Sequence, residues 1–333
     1  MADRVGANAP REASPGFRVC GLQWNLPTPT SVRWFSRYAW SVLGYNIAVV
    51  LWGAFVRATG AGAGCGKHWP LCNGEMLPRS PSLNTVIEFT HRVTSGIDLV
   101  LVALLVFWAF RAFPRRHAVR QGATLSAIFL ISEALLGASL VLLEHVAKNQ
   151  SSARAYSLSA HLVNTLTLLA CLTLTAWWTS GKAPVRAGRR ALWMAAVSLG
   201  AVMILGISGA IAALGDTLFP ARSLAEAWTR DFDPAASIFV RLRILHPAIA
   251  ALAGAWLGIY AVSTAGRRRD LRPRAWLLLG MVAGQIAAGV GNLLLSAPVW
   301  MQLVHLLLAD GLWISLVLLC AGTLEPDGVW ADR

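Results

Sequence analysis

Eight long apolar stretches constrain the fold of this 333-residue chain more than any other feature. A helix needs about 20 mostly apolar residues to cross a bilayer. The composition agrees, since 56% of the residues are hydrophobic and only 14% are charged. The chain is therefore predicted to be an all-α integral membrane protein with eight transmembrane helices. The predicted spans are residues 38–58, 84–110, 122–143, 157–179, 191–213, 238–264, 275–296 and 300–322.

The formal net charge of +13 is explained by membrane topology, so nucleic acid is not expected among the partners. The region before the first span and the connections at 111–120, 182–190 and 267–274 hold 18 Lys and Arg residues. The remaining connections hold six, although they are longer. Cytoplasmic loops carry such an excess of Lys and Arg. Both termini are therefore predicted in the cytoplasm, with the protein in the bacterial cytoplasmic (inner) membrane.

Four histidines recur at one depth in alternate spans. His91, His161, His246 and His305 lie in the first turns of the second, fourth, sixth and eighth stretches. A histidine inside a bilayer is costly and marks a functional site by default. Histidine is also the commonest metal ligand, and pairs facing each other in a helix bundle can hold haem iron axially. Two such pairs are expected, and the alternative is four histidines bonded to neighbouring carbonyls.

The two halves of the chain show a weak internal repeat. From Gly53 to His91 is 38 residues, and from Gly209 to His246 is 37. The segment 133–137 in the third span also resembles 285–289 in the seventh. The sequence thus predicts two pseudo-symmetric four-helix bundles related as a parallel repeat. The expected organisation is a cytoplasmic tail at 1–37, a bundle with the substrate site at 38–180, a second bundle at 190–322, and a cytoplasmic tail at 323–333.

Charged residues near the histidines differ between the halves. Glu88 precedes His91 by three residues and shares its helix face, whereas Arg243 occupies the matching place before His246. A carboxylate at this depth is expensive unless it is paired or used, so Glu88 is either a reacting group or the partner of a nearby arginine, Arg92 or Arg57.

Arg92, Arg241 and Arg243 are candidate partners for haem propionates, because a guanidinium suits carboxylates. The competing account is ordinary snorkelling to the interface.

Two cysteines lie in the glycine-rich connection after the first span. Cys65 and Cys72 are seven residues apart on the predicted outer, oxidising side, which favours a disulfide. A structural clip and a redox-active bond both remain open.

Three motifs together resemble one known family. They are the segment 53–60 (Gly-Ala-Phe-Val-Arg-Ala-Thr-Gly), the Cys65 to Gly74 loop, and the segment 87–92 (Ile-Glu-Phe-Thr-His-Arg). With the later histidines, the chain resembles the haem A synthase family of the bacterial cysteine-containing type over about residues 38–322.

The resemblance implies a function and a set of roles. Members oxidise the C8 methyl group of haem O to the formyl group of haem A, for cytochrome c oxidase assembly. His246 and His305 would be the axial iron ligands of a resident haem b, and His91 and His161 would surround the substrate haem. The essential glutamate of the family falls on Glu88, and its outer-loop disulfide on Cys65 and Cys72.

Two other functions remain alternatives at this point. One is a di-haem b, quinol-linked electron-transfer cytochrome, and the other is a haem carrier. Neither requires a carboxylate beside only one histidine pair. The expected partners are a haem O synthase that supplies the substrate and a membrane-bound or soluble electron-transfer partner, with a homo-oligomer as a further expectation.

Overall fold

Eight helices long and apolar enough to cross a membrane run through the computed structural model, within the part of the chain that it describes. That part comprises residues 17–19, 22–24, 29–181, 188–221 and 223–325. The prediction of an eight-span helical protein is confirmed. The helices are α1 (Pro29–Ala58), α2 (Leu83–Ala112), α3 (Ala118–Leu142), α4 (Ser152–Trp178), α5 (Arg189–Leu218), α6 (Leu224–Asp231), α7 (Ile238–Leu242), α8 (Leu245–Arg267), α9 (Arg272–Leu294) and α10 (Val299–Thr323).

Three features of this helix set differ from the prediction. The first span begins at Pro29, earlier than residue 38. Upstream of it, β1 (Phe17–Val19) pairs antiparallel with β2 (Leu22–Trp24). The connection after α5 contains the short helix α6, and the sixth span is divided into α7 and α8. Pro247, the third residue of α8, suits a helix start because a proline has no N–H to leave unpaired.

Side-chain caps fix where several spans begin. The Ser82 hydroxyl accepts a hydrogen bond from the Thr85 N–H at the start of α2. Ser151 does the same for Arg154 at the start of α4. These caps satisfy donors that have no partner inside the helix. They therefore fix the first turns of the two helices that carry His91 and His161.

Helix contacts follow the same pattern in each half. In the first half, α1 packs on α2, α2 on α3, α3 on α4, and α4 on α1. In the second half, α5 packs on α8, α8 on α9, α9 on α10, and α10 on α5. Each half therefore closes into a four-helix ring. The two-fold relation between the rings stays a prediction.

One apolar core runs through both rings. Leu169 in α4 and Leu316 in α10 are fully buried within it. Trp313 in α10 donates its indole N–H to the carbonyl oxygen of Leu166 in α4, over 2.7 Å. The outer helix faces carry exposed apolar side chains such as Leu252 and Ile259, which suits contact with lipid rather than water. The rings are therefore held together by packing that both share.

Candidate functional site

Each of the four histidines lies against a glycine of the preceding span. A Cβ atom built on Gly53 or on Gly209 would stand 3.0 Å from the Cε1 atom of the facing histidine. At Gly289 that separation is 3.2 Å, and at Gly137 it is 3.8 Å. The missing side chain therefore makes room for an imidazole ring between two helices. The four contacts are Gly53 with His91, Gly137 with His161, Gly209 with His246, and Gly289 with His305.

The second histidine pair faces inward across its ring of helices. The ring centres of His246 and His305 are 6.5 Å apart, with planes at 89°. Two imidazoles that bind one metal ion at about 2 Å each place their ring centres roughly 6 Å apart. The Nδ1 atom of His246 lies 3.0 Å from the Ser208 hydroxyl, so its Nε2 atom is the one left for a ligand bond. These two residues fit an axial pair.

The first pair brings together His91 and His161, which are close enough to interact electrostatically. The Nδ1 atoms of both rings are buried and have no hydrogen-bond partner in the described part of the chain. Buried polar atoms normally have partners, so these two imidazole nitrogens mark a site whose polar groups the described part of the protein does not satisfy by itself. The His161 Nδ1 atom does have one charged neighbour, because Glu133 Oε2 lies 3.4 Å away.

Glu133 was missed as a site residue by the sequence reasoning, which used it only to align the two halves. Its carboxylate accepts hydrogen bonds from the Asn164 amide at 2.6 Å and from the Thr165 hydroxyl. Ser132 donates in turn to the Asn164 side-chain oxygen at 2.5 Å. The available signal was a carboxylate within an apolar span, one turn before the glycine that faces His161. The first pair therefore has two carboxylates in its neighbourhood.

Glu88 is buried and anchors the cysteine loop to α2. Its Oε2 atom accepts the Cys65 backbone N–H at 2.8 Å. Its Oε1 atom accepts from the Arg92 guanidinium at 2.5 Å. Arg92 also donates to the carbonyl oxygens of His68 and Leu71, each at 2.6 Å. The sequence set a reacting role for Glu88 against a salt bridge with Arg92 or Arg57, and the salt bridge with Arg92 is present. It leaves Glu88 one turn from His91.

The predicted disulfide between Cys65 and Cys72 is present. Both cysteines are buried, at 0% and 1% exposure. The loop packs closely on the start of α2, since a Cβ on Gly64 would stand 2.4 Å from the Asn84 backbone. The Thr85 hydroxyl donates to the Gly64 carbonyl oxygen at 2.8 Å. The bond, the hydrogen bonds and the packing together hold this loop over the end of the helix that carries His91; we call this end of the molecule the disulfide end.

The remaining candidate arginines differ in their surroundings. Arg243 is mostly buried and pairs with Asp216 at 2.8 Å and with Asp231 at 2.5 Å. Arg241 is exposed on the same short segment. A propionate at Arg243 would have to share the guanidinium with two carboxylates, whereas the Arg241 side chain has no hydrogen bond or ion pair within the described residues.

Arg57 is a partly buried arginine at the disulfide end, and it connects the two halves. It lies at the end of α1 and donates to the carbonyl oxygen of Ala213 at 2.9 Å and to the Thr217 hydroxyl at 2.8 Å, both in α5. It also donates to the Gln302 side-chain oxygen in α10 at 3.1 Å. Arg57 therefore bonds to α5 and α10, and the arginine partner of Glu88 is Arg92.

A lateral cleft of about 420 Å³ lies beside the first pair. Phe129, Leu136, Val163 and Ile207 give it an apolar wall. Asn164 lines the same cleft and also donates to Glu133. The polar surroundings of His161 are thus in contact with a mostly apolar cleft on the side of the bundle.

Eight apolar helices and two partly buried histidine pairs define the class: a multi-pass helical membrane protein with two candidate ligand sites. Comparison with known proteins identifies the family. The model of the cytochrome oxidase assembly proteins (COX15-CtaA) matches residues 36–317. The chain belongs to this family, which confirms the resemblance seen in the motifs.

Two groups of relatives show different names. A protein from Thermus thermophilus named protoheme IX farnesyltransferase is 49% identical over 308 residues, which is 90% of this chain and 50% of that protein. A heme A synthase from Bacillus mycoides is 45% identical over 95 residues, 28% of this chain and 30% of that protein. One from Bacillus cereus matches to the same extent. The chain spans about half the length of the Thermus relatives it matches.

Proposed function

We propose that this protein is a haem A synthase, an oxidoreductase that converts the C8 methyl group of haem O into the formyl group of haem A for cytochrome c oxidase assembly. The supporting observation is the unequal pair of histidine sites. Both pairs lie against glycines, but among the described residues only the first has a carboxylate in contact with a histidine, Glu133 beside His161. Glu88 lies one turn before His91, whereas Arg243, one turn before His246, is paired with Asp216 and Asp231. A reacting site needs groups that transfer protons or stabilise developing charge. A resident redox cofactor instead needs axial ligands and an environment that excludes competing reactions.

The second pair is proposed to hold the resident haem b, with His246 and His305 as axial iron ligands. That haem would supply one-electron redox chemistry when bound. The Ser208 hydroxyl holds the Nδ1 side of His246, which orients the opposite nitrogen toward the facing histidine.

The first pair is proposed to surround the substrate haem O. His91 and His161 bind it, and the fixed loop behind Cys65 limits the access of water to their end of α2. Glu88 is the group that takes up a proton or stabilises positive charge beside His91. Its two hydrogen-bond donors, Cys65 N–H and Arg92, fix its carboxylate in place.

The membrane orientation is also a proposal. The disulfide end faces the outside of the bacterial cytoplasmic membrane, since disulfides persist in oxidising compartments and the Lys and Arg excess lies at the opposite end. Residues 1–37 and 323–333 then lie in the cytoplasm. A cysteine placed at Ser80, near the disulfide end, should react with a membrane-impermeant thiol reagent in intact spheroplasts, and one at Arg115 should not; the reverse result would invert the topology.

The decisive experiment is co-expression with a haem O synthase, followed by extraction of haem and mass measurement. We expect haem A to accumulate only when both proteins are present. A di-haem cytochrome or a haem carrier would leave haem O unchanged.

The same experiment without the haem O synthase tests whether this chain has the farnesyltransferase activity that the name of the Thermus relatives states. The matched region is half of those proteins, so their farnesyltransferase name describes a longer chain. Conversion of protohaem to haem O by this chain alone would support the transferase function and overturn our proposal.

A further inference from the structure

The two histidine pairs differ at one matched position on the facing helix. Glu133 lies one turn before Gly137 in α3, and Gln285 lies one turn before Gly289 in α9. Each glycine faces the histidine of the next span. Glu133 Oε2 is 3.4 Å from His161 Nδ1, and the Gln285 amide nitrogen is 3.3 Å from His305 Nε2. One histidine of each pair therefore touches a polar side chain from the same helical position: a carboxylate at Nδ1 in the first half and an amide at Nε2 in the second.

The surroundings of Glu133 fix its direction. Asn164 and Thr165, both in α4, donate to its two oxygen atoms. His161 belongs to the same helix, so the carboxylate is held against the face of α4 that carries the imidazole. Glu133 is half-buried and has no Lys or Arg ion pair within the described residues. Its charge is therefore balanced by the hydrogen bonds of α4 and by whatever cation the histidine pair holds.

We propose that Glu133 is a positioning residue that gives the haem bound at His91 and His161 a lower reduction potential than the haem at His246 and His305. The inference rests on the proposed function, because it requires a haem at the first pair. A carboxylate beside the outer nitrogen of a ligating imidazole orients the ring and raises its basicity. Ferric haem carries one more positive charge than ferrous haem, so a fixed negative charge nearby favours the ferric form. The neutral amide of Gln285 supplies no such charge.

The consequence is a fixed ordering of the two sites. An electron is more stable at the second pair than at the first, whatever the external partner. This ordering suits a substrate that is to be oxidised at the first pair beside a resident haem at the second. The difference between Glu133 and Gln285 thus gives the two sites different reduction potentials, although both have two histidines.

A reciprocal exchange tests the proposal. The variants are Glu133→Gln and Gln285→Glu. Each is purified with its resident haem, and ferric protohaem IX is then added as the probe for the first pair. The midpoint potentials of both haems are measured by potentiometric titration followed by absorbance. We expect Glu133→Gln to raise the midpoint potential of the added haem by about 59 mV. For one electron this corresponds to a tenfold change in the equilibrium ratio of ferric to ferrous haem. Gln285→Glu should lower the potential of the resident haem by a similar amount.

The matched control is Glu144→Gln. Glu144 is an exposed carboxylate beyond the end of α3 that pairs with Lys67, and its replacement should leave both potentials unchanged. An unchanged potential of bound haem in Glu133→Gln would overturn the inference. Failure of the unsubstituted protein to bind haem at the first pair would instead overturn the proposed function. If Glu133→Gln does not fold, the Gln285→Glu variant provides the test. An unchanged midpoint potential of the resident haem in that variant would contradict the proposed effect of a carboxylate at this position.

Discussion

A single buried carboxylate beside His91 carries the sharpest prediction for the reaction. Glu88→Gln keeps the size of the side chain and its ability to accept the Cys65 N–H, but it removes the charge that pairs with Arg92. We expect haem A formation to fall at least 100-fold, as is typical for loss of a proton-transfer group, with haem O or a hydroxylated intermediate accumulating. The measurement is the mass of extracted haem, with haem b content as the check on folding. Normal haem A yield would remove Glu88 from the mechanism.

The axial ligands of the resident haem give a second prediction. His246→Ala and His305→Ala each remove one imidazole from a pair whose ring centres are 6.5 Å apart. We expect each to abolish the low-spin b-type spectrum of the reduced protein, because one remaining imidazole does not complete two axial bonds. His117→Ala, on the connection before α3, is the control and should retain the spectrum. Survival of the full signal in both ligand variants would contradict the assignment.

The sequence singled out the candidate site residues, but it did not predict which of them are in contact. The four histidines, Glu88 and the cysteines stand out because polar groups are rare in apolar spans. That Glu88 pairs with Arg92, and that Glu133 reaches His161, depends on side-chain direction across helices far apart in sequence. Pattern alone does not determine such contacts.

Helix packing makes the glycine opposite each histidine a testable requirement. Gly209→Ala adds a methyl group 3.0 Å from His246 Cε1, within a span that also contains Gly200, where an added Cβ meets nothing within 4 Å. We expect Gly209→Ala to displace the imidazole and to lower haem b occupancy severalfold. Gly200→Ala should keep full occupancy, since in a helix interior alanine is favoured over glycine by about 1 kcal/mol. Equal haem content in the two variants, measured per mole of protein, would show that the close approach is not needed.

The cysteine loop is an element whose stability has several sources. Its ring of eight residues contributes about 2–3 kcal/mol in the chain-entropy treatment, while hydrogen bonds from Cys65 and Thr85 anchor it separately. We expect the Cys65→Ala, Cys72→Ala double variant to insert and to bind haem b normally. Any loss of haem A formation would then be local to the first pair. Loss of haem b as well, by spectrum, would show a structural role for the loop across the whole molecule.

Element boundaries were predicted less well than element number. Eight spans follow from hydropathy, but α1 extends back to Pro29 and the sixth span is divided before His246. Both departures involve residues that are polar or that disrupt helices, where hydropathy carries little information and local contacts decide. The short helix α6 was missed because it has only 8 residues, about half of them polar, so it gives no hydropathy signal of a span.

At the scale of the whole molecule, Arg57 links the two rings of helices. Its guanidinium makes hydrogen bonds to α5 and to α10, so Arg57→Gln removes partly buried hydrogen bonds that join the two halves. We expect a loss of about 1–3 kcal/mol of stability, seen as a lower thermal midpoint in detergent. Arg79→Gln, at an exposed position in the loop before α2, should leave the midpoint unchanged. A shift no larger than that control would show that Arg57 does not hold the halves together.

The shared core has a consequence for how the chain is made. Among the described spans, α10 leaves the ribosome last, yet it packs against α1, α4, α5 and α9. Until α10 enters the bilayer, the second ring lacks one of its four helices, and in the first ring the carbonyl oxygen of Leu166 lacks the indole of Trp313. Assembly of the first ring during translation is therefore provisional. The two sites therefore reach their final form together. A membrane protease or chaperone that binds incomplete chains would act on a protein in which neither site is complete, and not on one that has a single finished site.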